Sequence, residues 1–547
     1  MDKLSNLSAD QCILLAVCYT AAAQISTLQS LKTCRPDVLT VELTLRILVS
    51  YLPENLEPNN YVGFIAFLSN EAHLQRSKDK NVHDDEALAV EVKPVEGLTL
   101  NQARKAVKKL HLLPLEQQCL AKEDGSLDLI TRFIIQRVHR IESETGLLDL
   151  VPELVIPFLD RSDYLRTWFV STVLPLLRLS YEFYPDTTSH QNTDQNDLPT
   201  VSALEHLDGE RAVDLLLSRA LSGQPGFEDT EHGHNIRRDL RCLVGPWVYG
   251  ENQRKRRKIN SSREQSSSII KNEATSALVT DRSEEDSESI TKSDWIYAFK
   301  WLIHLSKINL PATSYLVQNW EGPLDVDFGG YVSDLTYMEE DKLGFVKTKY
   351  AETALACIFM ASSGSEDTIA AAHGLLVGVA KLLNYDPVPA LSWSFQLPPA
   401  PDKFLSNFKF TTSALQTEML VSLDSPLAAV NQDSFTLAVN LVFSAHICRL
   451  MNFVRAVRDI TAIYLFAKEG DQITILQQIF QGLITGKQRS ADEWDEIRGQ
   501  IIWLWCWDNV TYTDGQYYGQ GILGKVSKRL VGTEILKALL TTCCKLL

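Results

Sequence analysis

Between Leu39 and Leu68 the apolar residues recur with the spacing of a helix, broken once by proline. Val41, Leu45, Leu48, Val49 and Leu52 fall on one face of a 3.6-residue turn. Pro53 closes that segment, because proline lacks an amide donor and disfavours helical geometry in the residue before it. A polar link from Glu54 to Asn60 follows. Tyr61, Phe64, Ile65 and Leu68 then begin a second stripe. A link this short predicts two helices lying back to back, with Leu48 buried between them and the next pair.

The pattern repeats along the chain. Asp10–Ser30 reads as one helix, started by Ser8 with an acid in its first turn and stopped at Arg35-Pro36. Thr99 opens the next, with Leu100, Ala103, Val107 and Leu110 inward. Asp128–Glu142 is strongly amphipathic, and Arg137 sits among its apolar residues. Ala212–Leu221 is helical, and Gly245-Pro246 should end the helix that precedes Trp247 and Tyr249. Further helices are expected over Asp294–Leu310, Thr353–Met360, Asp367–Leu383, Thr412–Leu423, Ser434–Phe466 with one or two breaks, Asp471–Leu483, Ala491–Trp507 and Leu523–Leu540. Glycine (26) and proline (20) are scarce for 547 residues, which favours helix over loop-rich strand folds. The expected fold class is all-α: an elongated, irregular α-solenoid of antiparallel helix pairs.

Residues 251–293 interrupt the pattern, being poor in aromatics and rich in Ser, Glu, Lys and Arg. Arg254, Lys255, Arg256, Arg257, Lys258 and Arg263 stand against Glu251, a local charge of +5, and residues 281–290 carry −4. The chain therefore divides into an N-terminal solenoid half (1–250), a disordered charged linker (251–293) and a C-terminal half (294–547). Arg254–Lys258 reads as a solvated stretch or as a nuclear-import or acidic-partner patch.

Net charge of −16 opposes binding of nucleic acid or anionic lipid through the bulk surface. No apolar run reaches the ~18 residues of a membrane span. The ten cysteines form no C-x-x-C pair and mostly sit in apolar helical stretches, as buried thiols of a reducing compartment do. Vicinal Cys543-Cys544 near the end is read as two ordinary cysteines rather than an acylation site. His232 and His234 lack a third ligand nearby and read as a polar interhelix loop. Asp325 and Asp327 beside Gly329-Gly330 have no basic partner or metal set in their neighbourhood of the sequence, so no catalytic, cofactor-binding or metal-binding residues are assigned.

Three phrases resemble one family. Leu45-Arg46-Ile47-Leu48 with Tyr51-Leu52-Pro53-Glu54 and then Pro58 and Tyr61 is similar to the N-terminal signature of the Sec-thirty-nine domain. Gly245-Pro246-Trp247, followed by the Lys-Arg block, resembles its middle signature. Trp320-Glu321-Gly322-Pro323-Leu324-Asp325-Val326-Asp327 with Gly329-Gly330-Tyr331 resembles its third. The resemblance covers most of the chain. It implies a non-enzymatic α-solenoid scaffold without cofactors, a subunit of the Dsl tethering complex for Golgi-to-endoplasmic-reticulum retrograde vesicles. Its implied partners are other Dsl-type tether subunits and endoplasmic-reticulum SNAREs, with no nucleic acid. Its implied location is the cytoplasmic face of the endoplasmic reticulum, held peripherally through partners. The chain departs from the resemblance at Leu547, where family members continue with further helices. Two other readings stay open: a nuclear or cytoplasmic helical-repeat adaptor using Arg254–Lys258, and a helical hydrolase using Asp325 and Asp327.

Overall fold

The computed structural model describes residues 7–74, 91–115, 127–185, 199–221, 229–251, 295–332, 340–391, 410–421, 425–485, 489–513 and 515–543. The linker expected over 251–293, the Arg254–Lys258 block and Cys544 lie outside them, save Glu251. The fold is all-α, and the one sheet among the described residues has two strands. The chain forms two compact units: Met1–Leu207 with Pro246–Ile290, and Asp208–Gly245 with Thr291–Leu547.

The first unit opens with α1 (Ala9–Ala21), capped reciprocally by Ser8 and Gln11. The single helix expected over Asp10–Ser30 is two. Ala23 takes a left-handed φ of 56°, which a helix cannot carry, and α2 (Ile25–Cys34) starts afresh. Next come α3 (Val41–Tyr51), α4 (Val62–Leu74), α5 (Leu100–Lys108) and α6 (Leu129–Thr145). Thr40 caps α3, Thr99 and Gln102 form a capping box on α5, and Asp128 caps α6. Gly146 ends α6 in the left-handed region, where a side chain would be strained.

Leu45, Leu48, Leu52, Tyr61, Phe64, Ile65 and Leu68 are all buried, as their spacing predicts. The back-to-back hairpin is corrected. α3 packs chiefly on α1 and α6, and its contact with α4 is slight. Leu100 is exposed rather than inward, and Ala103 alone of its expected stripe is fully buried. Short helical turns from Leu148 to Phe183 include two wide, π-type turns, Phe169–Val173 and Arg178–Phe183.

The second unit contains α7 (Gly209–Leu217), α8 (Asp229–Asp239), α9 (Trp295–Ile308), α10 (Leu310–Asn319), α11 (Glu340–Met360), α12 (Glu366–Leu383), α13 (Gln432–Leu450), α14 (Val457–Phe466), α15 (Glu469–Thr485) and α16 (Ala491–Cys506). A hairpin follows, β1 (Val510–Thr513) and β2 (Gln516–Gly519), and then α17 (Lys528–Cys543). Its broadest packing joins next-but-one helices: α10 with α12, α8 with α10 and α9 with α11. Burial holds Cys357 and Cys448 as protonated thiols, with pKa values pushed up to about 12.

Two expectations fail around residues 229–251. His232 and His234 lie on α8, not in a loop. Gly245-Pro246 does not end the helix: residues 240–244 form a π-type turn and helical backbone continues to 251. The wider turn accommodates a residue with no amide donor, which a regular α turn does not. Gly245 also has to be bare, since a Cβ there would meet Val326 at 2.7 Å.

Candidate functional site: the signature segments

The first signature lies in the first unit. Leu45 and Leu48 anchor α3 in the core, while Arg46 turns to its rim. Arg46 Nε donates to the Leu113 carbonyl at 3.1 Å and Nη2 to the Leu112 carbonyl at 3.3 Å. One turn on, Ser50 Oγ accepts the Leu113 amide at 2.9 Å. α3 thereby holds an extended segment of main chain along its side.

The turn after α3 is built around an arginine from another helix. Arg137 of α6 is fully buried; its Nη1 donates to the Leu52 carbonyl at 2.9 Å and its Nη2 to the Pro53 carbonyl. Its guanidinium stands 3.8 Å from Glu54 and lies over the Tyr61 ring, 5.7 Å from the centroid. Arg140, one turn on, donates from Nε to Glu54 at 3.0 Å. The sequence Tyr51-Leu52-Pro53-Glu54…Tyr61 is thus a cradle: two carbonyls, a carboxylate and an aromatic face around one cation. This guanidinium thus fastens α6 to the link between α3 and α4. Tyr51, at the end of α3, is half-buried.

The middle signature divides between the units. Gly245 belongs to the second and Pro246 and Trp247, both buried, to the first. The third signature lies wholly in the second unit, wrapped on α8 and the turn after it. Trp320 ends α10, and Gly322 turns the chain with φ 77°, its Cα so near Tyr350 that a Cβ would sit 2.9 Å from that ring. Pro323 is buried beside it. Trp320 meets Tyr350 edge-on at 5.0 Å and Trp295 at 5.9 Å, and Phe299 lies 6.2 Å from Tyr350. Burial pushes the Tyr350 hydroxyl pKa far above its usual value.

Asp325 and Asp327 have basic partners after all, contributed by a distant part of the chain. Asp325 accepts from Arg241 Nε at 2.8 Å and lies 3.6 Å from Arg237. The Asp327 amide donates to the Arg241 carbonyl at 3.0 Å, and its Oδ1 accepts the Gly329 amide at 2.8 Å. Both carboxylates are therefore engaged in fastening the loop, and Gly329 and Gly330 complete the turn at φ 63° and 80°. A hydrolytic pair needs one carboxylate free to take or give a proton. Among the described residues no group of three or more His, Cys, Asp or Glu is placed to hold a metal ion. No helix among them is long and apolar enough to cross a membrane.

Sequence reading placed Arg137 on the apolar face of α6 without giving it a role. A cation among Phe133, Ile134, Val138 and Ile141 was the signal. Arg237 and Arg241, one turn apart on a shared face, were missed, as was Tyr350. A family model described as "Secretory pathway protein Sec39" matches residues 13–545. No curated protein matches the chain.

Proposed function

The chain belongs to the Sec39 family of secretory pathway proteins, and from that premise we propose that it is a non-enzymatic scaffold subunit of a tether for Golgi-to-endoplasmic-reticulum retrograde vesicles. On this reading it binds other Dsl-type subunits and endoplasmic-reticulum SNAREs through extended helical surfaces. It sits peripherally on the cytoplasmic face of the endoplasmic reticulum and spaces the membrane-bound partners as an α-solenoid. The observation that carries the proposal is the family match over nearly the whole chain. Two features support the scaffold role. The signature residues pack in the core or fasten to other parts of their own chain rather than presenting reactive groups. The next-but-one packing of α9 to α12 is the pattern that stacked helix pairs generate.

Leu48→Asp tests it. The change places an unpaired carboxylate at a site with no exposure, at a cost of about 3–5 kcal/mol. Cells carrying it should secrete a reporter that bears an endoplasmic-reticulum retrieval signal, with the level of the chain checked in parallel. Normal retrieval by a variant shown to be unfolded around α3 would remove this end of the molecule from tethering.

A further inference from the structure

After α16 the chain leaves helix abruptly. Trp507 and Asp508 take left-handed φ values of 41° and 57°, and the chain enters β1. The hairpin register sets Tyr512 opposite Tyr517, with ring centroids 4.8 Å apart. β2 is the strand that lies against α16 and α17, whereas every residue of β1 is exposed. Tyr512 is 63% and Val510 46% exposed, which is unusual for residues of this size in strands.

No other strand flanks β1 among the described residues. Its outer edge therefore presents main-chain donors and acceptors to solvent. Proteins blunt such edges with lysine, proline or a bulge, and Val510-Thr511-Tyr512-Thr513 has none of these. The charge beside it is equally out of place. Lys528 and Arg529 open α17, where a cation opposes the helix dipole. Neither forms an ion pair among the described residues. Lys528 Nζ stands 5.5 Å from the centre of the Tyr517 ring. In a chain of net charge −16, these are two exposed cations, and Lys528 stands beside the aromatic pair.

We propose that β1 is a docking edge for an extended, acidic segment of a partner protein, which adds to the hairpin as a third strand along Val510–Thr513. Main-chain hydrogen bonds to the free edge supply the binding. Side chains of the segment on the tyrosine face pack on Tyr512 and Tyr517, and its carboxylates lie within the field of Lys528 and Arg529. An anionic membrane would also take an aromatic and cationic patch. Lipid makes no use of a strand edge, however. The inference rests on the scaffold reading above and names the chemistry of one partner.

The test uses the full chain and a fluorescent short peptide alternating glutamate with valine. Three comparison probes accompany it: the same peptide N-methylated on alternate amides, its lysine-for-glutamate analogue, and phosphatidylcholine vesicles containing phosphatidylserine. The glutamate peptide should bind, N-methylation should weaken it by roughly tenfold or more, and the lysine peptide should not bind. The variant K528E/R529E should weaken the glutamate peptide by roughly tenfold while melting like the parent, since both side chains are exposed. Undiminished binding of the N-methylated peptide overturns the proposal, as does absence of glutamate-peptide binding up to about 1 mM. Vesicle binding that K528E/R529E abolishes would make the patch a lipid contact and overturn it too. The peptide arms need no folded variant. They use the purified chain alone, so their failure leaves the retrieval assay standing, and the reverse holds.

Discussion

The first and third signatures solve the same problem with the weight placed differently. Each is a proline-bearing turn after a helix, fastened by arginine from another helix to an acid of the turn. Arg137 is wholly buried and its main acceptors are carbonyls. Arg241 keeps 46% of its side chain exposed and its acceptor is a carboxylate. Water cannot replace the first set of bonds and readily replaces the second. The third signature is instead fixed by its glycine and the aromatic rings beneath it. Similar ion pairs on paper thus differ in energetic rank, and burial decides the rank.

The sharpest way to break this comparison is Arg137→Ala. The Leu52 and Pro53 carbonyls would lose their donor, while Glu54 keeps Arg140, at a cost of about 3–5 kcal/mol. Arg137→Lys should recover little, because an ammonium cannot span both carbonyls as the planar fork does. Hydrogen exchange over α3 and α6 is the measurement, and a loss of protection below about 1 kcal/mol in Arg137→Ala would refute the ranking.

Gly322→Ala should come next, at about 1–3 kcal/mol, from the left-handed φ and the encounter with Tyr350. Tryptophan fluorescence during urea unfolding should report it through Trp295 and Trp320. A neutral result would shift the burden of the third signature back to its ion pairs.

Arg241→Ala should cost least, under about 1 kcal/mol, and the difference should shrink further at high salt. The comparison between the signatures fails if this change equals Arg137→Ala in thermal melts.

Much of the fold was legible because its cues are local. Ser8 with Gln11, Thr99 with Gln102 and Asp128 announce helix starts through side chains that bond their own first turn. The burial of Leu45, Leu48 and Tyr61 follows from spacing alone. What stayed hidden depended on partners far away in sequence. Nothing near Asp325 predicts Arg241, and an arginine bonding carbonyls, as Arg137 does, has no complementary residue type to look for. Gly245-Pro246 misled because the stop rule assumes a regular α turn before the proline, and a π-type turn stands there. The hairpin was readable but overlooked: Asp514-Gly515 between Val-Thr-Tyr-Thr and Gln-Tyr-Tyr-Gly is a strong two-residue hairpin signal. It was overlooked because helix surrounds it on both sides.

The division of the chain has a consequence for synthesis. Domains usually form in order as they leave the ribosome. Here the first unit takes residues up to Leu207, passes over the next stretch, and resumes at Pro246. Gly250 fits against Ser171 with no room for a side chain, so the wall it supplies comes late. A nascent chain released only as far as Leu207 still lacks the closing piece of its first unit, and residues of the second unit emerge ahead of it.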